Sequence, residues 1–264
     1  MLRPTEKADM TDCTELLRLT PEERLLREYF PAPEAQIEAR RRLADGEPLA
    51  YILGEWSFYG EVYTVTPDVL IPRSDTEILV ERLIRDLPQN GRFLDLCTGS
   101  GCVAISVAAH RPDLTCVAVD ISAAALDIAR KNAARNGVTE RIRFVRGDVL
   151  GDLPDAGDGF CAIAANPPYI DSAVVDTLSE QVRREPRLAL DGGADGMDFY
   201  RAILSRHLSR LTPDGMLYFE IGYDQAEKIT RLCAPRPCRI LRDYGGNDRV
   251  AVISPFSEGS EISE

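Results

Sequence analysis

Asn166-Pro167-Pro168-Tyr169 sets a carboxamide, two prolines and a phenol in a row, directly after the apolar run Phe160 to Ala165. The prolines have no backbone N–H to donate and their rings fix φ, so the segment is stiff. The Asn166 side-chain oxygen and the Pro167 carbonyl are then two acceptors at a set separation. A planar –NH2 is the group that two such acceptors fit, and the Tyr169 ring gives it a flat wall. The nitrogen of a carboxamide or ring amine is a poor nucleophile because its lone pair is delocalised. Acceptors on both N–H bonds aim that lone pair at an activated methyl group without first removing a proton. In-line placement of this kind can supply on the order of several kcal/mol, and the two carbonyl dipoles favour the positive charge that shifts onto nitrogen. No histidine, metal or serine nucleophile is needed; the chain has only His110 and His207 and no CxxC pair. The bland alternative is a strand exit stiffened by prolines.

A second constellation lies earlier in the chain. Asp95-Leu96-Cys97-Thr98-Gly99-Ser100-Gly101 follows an apolar run and leads into a helical pattern from Cys102 to His110. Its glycines allow a sharp turn and close approach to a ligand at a helix N-terminus. Asp120 ends the next apolar run, about twenty residues on, where a carboxylate can accept from two ribose hydroxyls. Gly99-x-Gly101-x-x-Ala104 also satisfies the dinucleotide fingerprint, so this loop alone fits NAD as well as S-adenosylmethionine. Asp148, in Arg146-Gly147-Asp148-Val149, is placed to take the exocyclic amine of an adenine. It reads equally as a turn aspartate bonding its own backbone.

These residues need a scaffold, and the apolar periodicity supplies one. Strands are expected at Phe93 to Cys97, Thr115 to Asp120, Ile142 to Asp148, Phe160 to Ala165, Met216 to Gly222, Arg239 to Tyr244 and Val250 to Ser254. Helices fit between the first five, with Ser122 as an N-cap and Gly137 as a stop. Alternation of strand and helix predicts an α/β fold whose parallel sheet is covered on both faces. The last two strands are joined by Gly245-Gly246-Asn247-Asp248 and should form a hairpin at one end. Upstream, Glu55 to Thr66 alternates and is rich in aromatics, which predicts another hairpin. Ser74-Asp75-Thr76-Glu77 reads as a capping box opening a helix, and so does Thr20-Pro21-Glu22-Glu23. Thr11 to Gly46 reads as short helices, and the tail SPFSEGSEISE as a frayed end.

Composition narrows the partners. The 264 residues carry a net charge of -12, and Arg40, Arg41 and Arg42 form the one tight basic run, read as a solvated helix face. A grip on a nucleic-acid backbone calls for a basic surface, so no direct nucleic-acid binding is expected. No apolar stretch reaches the roughly 18 residues of a membrane span, so no membrane partner is expected. The N-terminus is polar and acidic, and the 7 cysteines read as reduced, buried thiols, which together predict a cytoplasmic protein without a metal site.

Taken together, these motifs resemble the HemK/PrmC-type methyltransferases, which modify a glutamine of peptide chain release factors. The resemblance runs from about Arg40 to Ser254. It is carried by Gly46-Glu47-Pro48-Leu49-Ala50-Tyr51-Ile52, Ile71-Pro72-Arg73 with Asp75-Thr76-Glu77, the Asp95 to Gly101 loop, Asn166 to Ile170, Glu185-Pro186-Arg187, Glu220-Ile221-Gly222 and Arg242-Asp243-Tyr244-Gly245. It implies a class I, Rossmann-like, S-adenosylmethionine-dependent fold of seven strands. A small helical domain at residues 1–50 and a β-hairpin linker at 51–72 would precede a catalytic domain at 73–255, with a polar tail at 256–264. It further implies methylation of the side-chain nitrogen (N5) of the glutamine in a Gly-Gly-Gln motif. By the same resemblance Cys97, Thr98, Gly99, Ser100 and Gly101 would line the cofactor site. Asp120 would hold the ribose, Asp148 and Val149 would lie by the adenine, and Asn166, Pro167, Pro168 and Tyr169 would bind the glutamine amide. Asn166, Pro167 and Tyr169 are the candidate catalytic groups, with Asn166 also touching the cofactor.

Three features depart from the family pattern. Ser74 stands where proline is usual, as it does in sibling enzymes that methylate a large-subunit ribosomal protein. Cys97 stands where glycine is usual, and the helical N-terminal region is short. One alternative substrate is that ribosomal protein's glutamine; the other is the N6 amine of adenine in nucleic acid, since the tetrapeptide alone also occurs in amino methyltransferases acting on DNA and RNA.

Overall fold

The computed structural model describes residues 19–153 and 155–255. The expected helix start at 11–18 and the tail at 256–264 lie outside them. The chain divides into two compact units, Met1–Gly54 and Glu55–Glu264.

In the first unit, α1 (Pro21–Tyr29) opens on the expected capping box. The Glu23 N–H donates to Thr20 Oγ1 at 3.2 Å, and the Thr20 N–H donates to Glu23 Oε2 at 2.9 Å. Next come α2 (Pro33–Ala44) and the short α3 (Leu49–Leu53). Leu26, Ala39 and Ile52 form their small core. The basic run is indeed a solvated helix face: Arg41 pairs with Glu38 and Asp45, and Arg42 with Glu47.

The second unit starts with the hairpin β1 (Glu55–Phe58) and β2 (Glu61–Thr64). Its turn residues Tyr59 and Gly60 both have positive φ, the backbone a tight right-twisted hairpin requires. Helix α4 (Glu77–Asp86) comes next, and here the expected capping box is absent. Ser74–Thr76 already turns as a 3-10 helix, so Ser74 lacks the extended backbone an N-cap needs. The Glu77 carboxylate instead accepts the Tyr59 N–H at 3.1 Å, which fastens the hairpin turn.

The sheet is then laid down by β3 (Arg92–Leu96), α5 (Cys102–His110), β4 (Thr115–Asp120), α6 (Ala123–Arg135), β5 (Ile142–Arg146) and β6 (Phe160–Ala165). It is completed by α7 (Asp198–Ala202), β7 (Leu211–Glu220), α8 (Ala226–Cys233), β8 (Cys238–Arg242) and β9 (Asp248–Ile253). Seven strands run in the order β5-β4-β3-β6-β7-β9-β8. The first five are parallel; β9 is antiparallel to both β7 and β8, the expected terminal hairpin. Ser122 caps α6, accepting the Ala125 N–H at 3.1 Å, and Gly137 follows its end with φ +69°.

One expected helix is missing. The β5–β6 connection, 147–159, has no helix among its described residues. Gly147, Gly151, Pro154, Gly157 and Gly159 crowd this short stretch, and glycine or proline at each costs about 1 to 3 kcal/mol in a helix interior. Leu153 and Ala156 cover the sheet from irregular backbone instead. β7 also starts earlier than Met216, because a register shift opposite Phe160 and Ala162 absorbs Pro213 to Gly215.

Successive residues of the strands feed opposite faces, as the pleat demands. Phe93 and Ala118 pack with Leu79, Leu83 and Val107 on one side. Leu94, Val119, Ile163 and Phe219 pack with Tyr200 and Ile229 on the other. Chain order reverses at β3: the path leaves it toward β4 and returns on its other side at β6. Open α/β sheets bind ligands at the carboxyl ends of the strands beside such a switch point. Leu96 pairs with Ala165 there, so the residues that follow, Cys97 and Asn166, leave the sheet side by side.

Candidate functional site

The loop after β3 is held by the protein's own hydrogen bonds. The Thr98 N–H donates to the Val119 carbonyl at 3.0 Å, and Thr98 Oγ1 donates to Asp95 Oδ2 at 2.6 Å. Asp95 is fully buried, and burial pushes its carboxyl up to about 7. The Thr98 hydroxyl and the nearby Ala104 N–H oppose that shift. Cys97 has φ +60°, a left-handed backbone that costs a side-chain-bearing residue about 1–2 kcal/mol. That is the physical reason glycine is favoured at this position. Burial raises the Cys97 thiol well above its ordinary range, which keeps it protonated and unreactive.

Asp120 shapes the same loop. Its Oδ2 accepts the Gly99 N–H at 2.9 Å and its Oδ1 accepts the Ser122 N–H at 2.9 Å. Burial raises its carboxyl, while these amides oppose that shift by favouring the charged form. With the Ile121 N–H also acting on the carboxylate, its remaining acceptor capacity is what a hydroxyl ligand could use. Gly101 packs against the helix that follows it. A Cβ there would lie 2.7 Å from Ile105 Cδ1, so this glycine serves the turn into α5 and lines neither cavity described next.

A cavity of about 290 Å³ opens at the carboxyl ends of β3, β4 and β5. Cys97, Gly99, Asp120, Asp148, Val149 and Pro168 line it, with Ile121, Leu150, Leu188 and Phe199 as apolar walls. Asp148 is a turn aspartate at the cavity edge. It faces the cavity, and its Oδ1 accepts the Leu150 N–H at 2.9 Å as a turn aspartate does. The Val149 carbonyl bonds His207 Nε2 at 2.9 Å from behind. Burial lowers the His207 pKa, so the ring is neutral and Nε2 is the donor. This histidine braces the cavity wall.

A smaller space of about 30 Å³ shares Cys97 and Gly99 with that cavity and reaches Thr98, Ser100, Thr76 and Asn166. Asn166 Nδ2 donates to Thr76 Oγ1 at 3.2 Å. With its nitrogen so engaged, the Asn166 oxygen is the end left to accept. The Pro167 carbonyl takes no hydrogen bond from any described residue. The far half of the tetrapeptide is clamped: the Tyr169 carbonyl accepts Gln225 Nε2 at 2.9 Å, and the Ile170 N–H donates to the Leu190 carbonyl at 3.0 Å. Gly192 lies so close that a Cβ there would stand 2.7 Å from the Pro168 carbonyl oxygen. Tyr169 faces an open cleft of about 510 Å³, with Trp56, Phe58, Arg73 and Asp75. Burial, then the nearby Glu220 carboxylate, raise its phenol, so Tyr169 is a neutral ring.

The sequence reading missed the supports. Glu185 is buried, pairs with Arg73 and accepts the Ile71 N–H at 3.0 Å, holding the 70–73 segment beside the cavities. Thr76 was expected within a cap, Leu188 stood in the motif that begins at Glu185 without an assigned role, and Gln225, Gly192 and Phe199 carried no signal. Glu185 and Glu220 stood inside resembling motifs without an assigned role. Among the described residues no group of His, Cys, Asp and Glu is placed to hold a metal ion. No helix among them is long and apolar enough to cross a membrane.

Known proteins resemble this chain in sequence and in fold. Residues 74–195 match the family model described as Methyltransferase small domain. The release factor glutamine methyltransferase of Moorella thermoacetica is 42% identical over 233 residues, covering 86% of this chain and 82% of that protein. That of Neisseria gonorrhoeae is 43% identical over 218 residues, 81% of this chain and 78% of the relative. Among solved structures, a ribosomal protein L11 methylase from Lactobacillus delbrueckii subsp. bulgaricus aligns with a TM-score of 0.51 at 23% identity. It covers 69% of this chain and 80% of that one, and shares the fold.

Proposed function

The chain belongs to the release factor glutamine methyltransferases, and from that premise we infer how its site serves S-adenosylmethionine-dependent methylation of a release factor glutamine. The donor set fits the cofactor. Asp120 has lone pairs for the ribose hydroxyls, Asp148 and Val149 edge the space suited to an adenine, and Leu150, Leu188 and Phe199 supply apolar walls. When bound, the cofactor supplies a methyl group activated by its sulfonium.

The observation that carries the acceptor side is the Asn166 carboxamide, tethered through its nitrogen to Thr76 beside the space shared with Cys97 and Gly99. Its oxygen and the Pro167 carbonyl would accept the two N–H bonds of the glutamine side chain. That alignment turns the nitrogen lone pair toward the methyl carbon. The Asn166 and Pro167 oxygens would stabilise the positive charge that the nitrogen gains on taking the methyl group from the sulfonium, which would leave as a neutral thioether. The nitrogen then releases one proton to solvent. Pro168 seals the cofactor side and the Tyr169 ring packs against the amide plane.

The target we assign is N5 of the glutamine in a Gly-Gly-Gln motif, reached through the cleft by Trp56 and Tyr169. A loop carrying that glutamine must be narrow to enter, and the two glycines make it so. The first compact unit is assigned to docking of the protein substrate, and the protein is assigned to the cytoplasm. With a net charge of -12, no nucleic-acid partner is assigned. Asn166→Ala should lower the methylation rate at least ~100-fold, as loss of an oriented charge-stabilising group does. It should leave cofactor affinity, measured by calorimetry, within about threefold, because the cofactor's main contacts lie elsewhere. A variant that still methylates at the wild-type rate would overturn the assignment of Asn166.

A further inference from the structure

The stretch from Glu185 to Gly192 borders the cofactor side and the acceptor side at once. Pro186, Leu188 and Ala189, in and beside a 3-10 turn at Arg187–Ala189, line the cavity of about 290 Å³. Further on, the Leu190 carbonyl accepts the Ile170 N–H at 3.0 Å, and the Gly192 N–H donates to the Ile170 carbonyl at 2.8 Å. Both bonds fall just past the tetrapeptide. At the other end, the Glu185 side chain reaches a segment 114 residues earlier in the chain. Its Oε2 accepts the Ile71 N–H at 3.0 Å, and its Oε1 pairs with the Arg73 guanidinium.

The segment so gripped also belongs to both sides. Leu70 lines the cofactor cavity and the small space by Asn166. Pro72 and Arg73 line that small space and the open cleft that Tyr169 faces, and Ile71 lines the cleft. One carboxylate therefore joins a wall of the cofactor cavity to a wall of the acceptor cleft. Glu185 is 4% exposed. A charge so buried is costly unless its lone pairs are satisfied, and here one oxygen takes a backbone amide and the other a guanidinium. Leu188, by contrast, is 54% exposed at the cavity wall. Apolar surface left open there is surface that a bound cofactor would cover, with a gain in proportion to the area.

We propose that Glu185 is a positioning residue that couples the two substrate spaces, carrying the restraint of the 186–189 wall by bound cofactor to Ile71 and Arg73 in the acceptor cleft. This rests on the methyl-transfer reading above. The cleft then takes its accepting shape when the methyl donor is in place. By linkage the coupling is reciprocal, and a release factor in the cleft tightens the cofactor by the same factor.

The test measures release-factor affinity by calorimetry on the full chain, with and without saturating S-adenosylhomocysteine. This demethylated product permits binding without turnover. In the wild type it should tighten release-factor binding at least ~5-fold, the lower end of common coupling between sites. Glu185→Gln keeps the side-chain size and an acceptor for the Ile71 N–H, but sets an –NH2 against Arg73. Arg73 is 41% exposed, so its charge reaches water and no buried charge is stranded. The variant should lower the coupling factor at least ~3-fold. A merely structural glutamate would lower the melting temperature and leave the factor within ~3-fold of wild type, which overturns the proposal. Wild-type affinity that the product changes less than ~5-fold overturns it too. If Glu185→Gln does not fold, Arg73→Gln decides, because its amide still donates to the buried carboxylate. The ratio of two affinities cancels any contact Arg73 makes with the release factor itself. A factor lowered at least ~3-fold is again expected, and a smaller change refutes the tie. Wild-type protein that neither binds nor methylates the release factor would refute the underlying reaction instead.

Discussion

At the residue scale, the chemistry rests on groups whose reactive atoms are chosen by their neighbours. In the mechanism we propose, Asn166 would accept because Thr76 occupies its donor end, and Asp120, held by backbone amides, would offer its remaining acceptor capacity to a ligand. Cys97 illustrates a local cost, since its φ of +60° suits glycine. Cys97→Gly should be near neutral for stability: relief of about 1–2 kcal/mol of backbone strain offsets the lost thiol packing and the added freedom of the unfolded chain. Cys97→Val, β-branched and stiff, should destabilise by about 1–3 kcal/mol and weaken cofactor binding. Denaturant titration and calorimetry would read both. Equal stability of the glycine and valine variants would contradict the strained backbone.

At the scale of elements, the tetrapeptide acts as a unit because other segments press on it. Gly192 is the tightest such contact, with Pro168 and Tyr169 backbone atoms where a side chain would begin. Gly192→Ala should therefore displace the loop, costing about 1–3 kcal/mol of stability and at least ~10-fold in turnover. Wild-type turnover from this variant would show that the 190–196 segment does not position the tetrapeptide. These elements were unequally legible in the sequence. The strands after Arg92 announced themselves through continuous apolar runs, and Asn166 to Tyr169 was recognisable because its residue types state their chemistry. The Ser74 cap was misread because a 3-10 turn satisfies the same short pattern without a capping side chain. The absent β5–β6 helix was signalled by Pro154 and the glycines around it, which alternation of strand and helix had overridden. Thr76, Glu185 and Gln225 support the site across long sequence separations, and no local pattern encodes such contacts.

At the scale of the whole molecule, sheet order turns dispersed motifs into one site. The switch point beside β3 joins Cys97 to Asn166, and β7 adds Glu220 beside them. The arrangement buries carboxyls, which ties stability to pH. Glu220 is raised from 4.5 to about 7, chiefly by burial, with Thr76, Arg249 and Arg73 opposing the shift and Asp75 adding to it. A raised folded-state pKa means the folded form holds its proton more tightly than the unfolded form. Its stabilising effect is therefore fullest below about 4.5, and is lost as pH rises toward about 7. Glu220→Gln removes that dependence, so its melting temperature should gain on wild type between those limits and hold a constant difference above them. Parallel melting curves at every pH would show that Glu220 is not held up by burial.

The central claim is that this site methylates one glutamine nitrogen on a release factor. The direct measurement incubates the protein with labelled S-adenosylmethionine and a release factor, beside the same factor with its Gly-Gly-Gln glutamine changed to alanine. Label on the native factor and none on the variant is the predicted result. Equal label on both would place the methyl on another residue. Label on neither, with cofactor binding intact, would contradict the release factor as substrate and direct the search to a ribosomal-protein glutamine or an adenine amine.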